Sequence, residues 1–153
     1  MTEHGFKAIV LELIDENPLA IRAVLQILGI EFTSEVPTLA VTCTEKPIMK
    51  VNLAFVAEHC ESEVQVKGLI LHEFLHILLR HTRSLKPLTP ERHLAVDAVI
   101  NAIIHRQVGA DYTGLMSNYY KDERGVGKLL RPPTDAEASA LSRARQRKHG
   151  SQL

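Results

Sequence analysis

The chain has 153 residues, with 18 Lys and Arg balanced by 18 Asp and Glu, and 45% of it is hydrophobic. That length is enough for one domain to bury a core without disulfides. A formal charge of zero argues against a dedicated nucleic-acid or membrane-surface protein.

The two cysteines, Cys43 and Cys60, lack CxxC spacing and read as buried or free thiols of a reducing compartment. The chain does not open on a basic-then-apolar segment, and no apolar run approaches about 18 residues. A cytoplasmic location without membrane association is therefore expected.

Residues 4–15 place Phe6, Ile9, Val10, Leu13 and Ile14 at helical spacing, which predicts a first helix. Asn17-Pro18 then supplies an N-cap and a proline at the first helical position, with Gly29 as a stop. Between them Ile21, Val24, Leu25 and Leu28 form an apolar stripe. Residues 38–43 alternate and are rich in strand formers, so a half-buried strand is expected. Glu45-Lys46-Pro47 reads as a turn, and Ile48–Val51 as a second strand completing a small hairpin. Asn52 caps a short helical turn through Phe55 and Val56.

Ser62, with Gln65 three residues on, forms a capping box for a helix running to His81, interrupted only by Gly68. Val66, Leu69, Ile70, Leu71, Phe74, Leu75, Ile77, Leu78 and Leu79 make it apolar nearly all round, the pattern of a central buried helix. Within it lies His72-Glu73-Phe74-Leu75-His76. Helical positions four apart stand one above the other, so both imidazoles can face one zinc ion. Glu73, one step round, is placed to take a proton from water as a general base. Burying two histidines and a glutamate there without partners would cost several kcal/mol, a cost that a metal removes.

Thr89-Pro90-Glu91 starts another helix and Gly109 stops it; Leu94, Val96, Val99, Ile100, Ile103 and Ile104 make it largely buried. Residues 110–133 read as irregular, with Gly114, Gly125, Gly127 and Pro132-Pro133 as breakers. Thr134 and Glu137 cap a last, peripheral helix. The expected organisation is a domain over residues 1–133 and a C-terminal helix or tail over 134–153. The fold class is α+β, mostly helical, with a small hairpin beside the buried helix.

A catalytic zinc takes three protein ligands and keeps one position open. His81, His93 and Asp97 are the candidates for the third. His81 lies nine residues past His72, about half a turn off the ligand face, and reads as a dipole-favoured histidine at a helix C-terminus. Asp97 is a lone carboxylate in the apolar stretch Leu94–Ile100, where it must be paired or bound to metal. His93 and Asn101, each four residues from it, complete a polar stripe. Asp97 is the preferred ligand and His93 the next choice.

These motifs resemble a bacterial family of metallopeptidase-type domains often found N-terminal to von Willebrand A-like domains. The similarity runs through Pro37–Thr42, Asn52 before Phe55-Val56, His72–His76, His81-Thr82-Arg83 and Ala95–Asn101. It spans residues 6–120 loosely, with only the two helix motifs specific. The resemblance implies a zincin-like fold, zinc held by His72 and His76, and Glu73 as catalytic base. No second domain is expected after Pro132, so any role that depends on a von Willebrand-type partner would be met by a separate chain or be absent.

The expected chemistry is zinc-dependent hydrolysis of a peptide or protein substrate, with Ile48–Val51 able to pair with an extended peptide. His105, Tyr119 and Tyr120 are candidate oxyanion donors. The alternative is a non-catalytic, zinc-stabilised interaction domain, closed by His81 or His93 as a fourth ligand. A third reading is a metal-dependent hydrolase of another bond, such as a phosphodiester. The neutral charge counts against an RNA substrate, and Arg143–Lys148, the only basic cluster, reads as a solvated tail.

Overall fold

The computed structural model describes residues 1–27, 29–42, 44–79 and 89–133, and beyond them positions 136, 137, 139, 140 and 143. Among these residues the architecture is α+β and mostly helical, with one small mixed sheet. No helix among them is long and apolar enough to cross a membrane. Cys43, His81 and nearly all of the expected last helix and the Arg143–Lys148 cluster lie outside the described residues.

Helix α1 (Glu3–Glu16) begins where the Thr2 side chain accepts from Gly5 N, and it buries Phe6, Ile9, Val10 and Leu13, the face its periodicity predicts. Helix α2 (Pro18–Val24) starts at the expected proline but ends well before Gly29. Its buried residues are Ala20 and Ala23, while Ile21 is exposed and Leu25, just past its end, is 80% exposed. Of the expected apolar stripe, Ile21 and Leu25 thus face outward while Val24 packs against the core. Small side chains on the inner face suit a helix lying against the central helix.

Gly29 is the first residue of a strand rather than a stop. Strand β1 (Gly29–Phe32) pairs in parallel with β3 (Ile48–Val51), and β2 (Leu39–Val41) pairs with β3 antiparallel, giving the order β1-β3-β2. The predicted hairpin is present, and the parallel strand beside it is an addition. Strand β3 is therefore central, with both edges taken, so β2 rather than Ile48–Val51 offers an open edge. Lys50 on β3 reaches Glu31 at 3.9 Å and Glu35 at 3.0 Å.

Asn52 caps α3 (Leu53–His59), accepting from Ala54 N and Phe55 N. Helix α4 (Glu63–Leu78) is the predicted central element: Ser62 Oγ accepts from Gln65 N at 3.3 Å, and Gln65 Oε1 accepts from Glu61 N at 3.0 Å. Its buried residues include Val66, Leu69, Ile70, Leu71, Phe74 and Ile77, and it touches α1, α2 and β2. Helix α5 (Pro90–Val108) has Thr89 as its N-cap and packs on α4. Gly109 ends it at φ 97°, a backbone conformation that costs glycine least.

The stretch expected to be irregular contains helix α6 (Ala110–Tyr119) and a 3₁₀ helix (Gly125–Leu130). Gly114 is no breaker. A Cβ there would lie 2.8 Å from Gln65 Nε2, and one at Gly68 would collide with the Tyr112 carbonyl oxygen. Both glycines serve the close approach of α4 and α6.

Candidate metal centre

Two helices build the site. Helix α4 holds His72 and His76 one turn apart on one face, and their rings meet edge to face with centroids 4.8 Å apart. Helix α5 brings Asp97 against them. His72 Nε2 and His76 Nε2 are 3.1 Å apart, and Asp97 Oδ1 lies 3.5 Å from the first and 3.1 Å from the second. Among the described residues, these three form the one group of His, Cys, Asp or Glu whose ligand atoms converge in this way.

The triangle has the dimensions of a tetrahedral face. Zinc–ligand bonds of about 2.0–2.1 Å in a tetrahedron set neighbouring ligand atoms about 3.3–3.4 Å apart. Edges of 3.1, 3.1 and 3.5 Å bracket that value, so the donor set fits a zinc-sized cation. Burial alone would raise the Asp97 pKa. Hydrogen bonds from His72 and His76, with the attraction of their charge, instead hold it well below the usual carboxylate range.

Glu73 is buried beside this triangle. Burial pushes its carboxyl up, and the nearby His72 and His76 and a hydrogen bond from the Val41 backbone offset this only in part. The carboxyl is thus tied to strand β2 on one side and faces the imidazoles on the other.

All four residues line a cavity of about 390 Å³. Residues 37–41, the edge of β2 and its approach, form one wall. Phe55, Tyr119 and Tyr120 contribute another, with Phe55 and Tyr119 rings 5.7 Å apart and Tyr119 and Tyr120 rings 5.1 Å apart. No Lys or Arg lines the cavity among the described residues.

The sequence candidates separate cleanly. Asp97 joins the histidines; His93 lines the cavity but is not part of the converging group. Tyr119 and Tyr120 both reach the cavity, and the Tyr120 hydroxyl is held protonated by burial and by the charge of Asp97. His105 does not: its Nδ1 lies 2.9 Å from Thr113 Oγ1, a contact that ties α5 to α6. Asn101, which the sequence placed on the polar stripe without a role, is buried with its Oδ1 2.8 Å from His72 Nδ1. Its Nδ2 donates to the Leu130 carbonyl at 2.8 Å. The four-residue offset from Asp97 was the sequence signal for it.

No protein-family model, curated protein or solved structure matches this chain.

Proposed function

We propose that the chain is a zinc-dependent hydrolase, a metallopeptidase of zincin-like arrangement, with zinc held by His72, His76 and Asp97. The observation that carries the proposal is the convergence of His72 Nε2, His76 Nε2 and Asp97 Oδ1 beside the buried Glu73 at one cavity. Zinc supplies Lewis acidity when bound, acidifying water and polarising a carbonyl.

Glu73 takes a proton from the attacking water while the water oxygen bonds to the carbonyl carbon. It then delivers that proton to the amide nitrogen as the C–N bond breaks. The raised pKa favours this role, because a carboxylate poised nearer neutrality both accepts and returns a proton. Tyr119 and Tyr120, both lining the cavity, are the two of the three expected donors that remain to steady the developing oxyanion. The β2 edge, with residues 37–41 along the cavity, suits an extended peptide added as a further strand.

Two observations favour this reading over its rivals. His93, one of the two candidate fourth ligands, lines the cavity without joining the triangle, as an open catalytic site rather than a closed structural one would have it. No Lys or Arg lines the cavity among the described residues, which counts against a phosphodiester as substrate.

The test is to load the purified chain with zinc, measure its stoichiometry and challenge it with a peptide library. One zinc per chain and cleavage are expected. Glu73→Gln should retain the zinc and lose roughly 10²–10⁴-fold in turnover. A zinc-loaded chain that cleaves nothing defeats the hydrolase reading. Four protein ligands by X-ray absorption would support the non-catalytic, zinc-stabilised alternative.

A further inference from the structure

Asn101 is 1% exposed, sits one turn beyond Asp97 on α5, and spends both ends of its amide on fixed partners. One end meets the Leu130 main-chain carbonyl at 2.8 Å. A carbonyl only accepts, so the amide must present its NH₂ there. The other end, Oδ1, is thereby turned toward His72 Nδ1 at 2.8 Å. An amide oxygen also only accepts, so His72 must carry its proton on Nδ1. The charged imidazolium also donates from Nε2 to Asp97 Oδ1. In the neutral ring, with the proton held on Nδ1, Nε2 keeps a bare lone pair facing His76 Nε2 and Asp97 Oδ1.

We propose that Asn101 is a positioning residue whose amide, oriented by the Leu130 carbonyl, selects the Nδ1–H tautomer of His72 and so aims its Nε2 lone pair at the metal position. The direction of the relay is set by the main chain: Leu130 closes the 3₁₀ helix, and its carbonyl cannot reverse its polarity. The 3₁₀ segment thus acts on the site without touching the cavity, since neither it nor Leu130 lines it.

The proposal deepens the zinc reading, but its first test does not depend on zinc. Nitrogen-15 NMR of the metal-free wild-type chain, at a pH where both imidazoles are neutral, should show His72 as the Nδ1–H tautomer. In Asn101→Leu, the same resonances should shift toward the Nε2–H form. Finding His72 as Nε2–H in the wild type overturns the proposal, whether or not the protein binds zinc.

Zinc affinity, measured by competition with a chelating dye, supplies the second arm. Asn101→Leu should bind about 10–100-fold more weakly, the range for loss of a partner that orients a ligand histidine. Asn101→Asp keeps an acceptor for Nδ1–H and should recover most of that loss, although it places a carboxylate oxygen against the Leu130 carbonyl. Should Asn101→Leu fail to fold, the wild-type tautomer still decides the matter. Unchanged affinity in a folded Asn101→Leu, or Asn101→Asp no better than Leu, overturns it.

Discussion

Helix α4 buries two polar clusters, and their difference separates structural from functional polarity. Near its start, Lys67 is only 8% exposed at its side chain, and its Nζ lies 2.8 Å from Glu16 and 3.2 Å from Glu12 on α1. Opposite charges meet there, the two carboxylates keep contact with solvent, and none of the three lines the cavity at the histidines. Further along, His72, His76 and Asp97 bring three potential ligand atoms within 3.5 Å of one another beside a cavity. The first cluster is complete in itself. The second concentrates ligand atoms of one kind, an arrangement that a cation completes. Buried polarity alone therefore says little; the convergence of donors on open space carries the functional information.

The contrast is sharpest in metal affinity. Asp97→Ala should weaken zinc binding by more than about 100-fold, beyond the loss from an outer partner, while Lys67→Met leaves it unchanged. Equal zinc affinity in the two variants, measured by chelator competition, would erase the distinction. A smaller effect is expected at Gly68, which lies between the clusters against the Tyr112 carbonyl. Gly68→Ala should cost about 1–3 kcal/mol in urea unfolding, because the backbones of α4 and α6 must separate. Since the glycine belongs to neither cluster, zinc affinity measured on the folded fraction should hold.

The smallest effect concerns acid. The hydrogen bond and charge of Lys67 hold the Glu16 carboxyl below its usual pKa despite some opposing desolvation, so its stabilisation is present above the unfolded value and is lost as pH falls through the lowered one. Lys67 is raised by its hydrogen bond to Glu16, so its share is present below its unfolded value and lost only as pH rises through the raised one. The ion pair should therefore stabilise the fold between those limits, and Lys67→Met should flatten the acid limb of stability against pH. An unchanged acid limb in the variant would show that the cluster carries no such linkage.

Much of this was legible in the sequence where the signal is local. The His72–His76 spacing needs only a helix, and α4 provides one; Asp97 announced itself as a lone carboxylate in an apolar run. Asn52, Ser62 and Thr89 cap as their chemistry dictates. Strand β1 was missed because its parallel partner is remote in sequence and leaves no local mark. Helix α6 was missed because Gly114 reads as a breaker, whereas its missing side chain makes room for Gln65. On α2, Ala20 and Ala23 are fully buried while Ile21 is exposed, a choice suited to a close neighbouring helix and invisible to periodicity. The role of Asn101 rests on the Leu130 carbonyl, 29 positions away, and no pattern reading reaches it.

Because the donor triangle is divided between α4 and α5, occupancy and folding become a single thermodynamic quantity under the proposed zinc reading. An ion held by both helices acts as a staple, and at a free concentration 100 times its dissociation constant it adds about 2.7 kcal/mol against unfolding. A chelator would then lower the thermal midpoint of the whole chain, so a calorimeter could register the ion before any substrate is known.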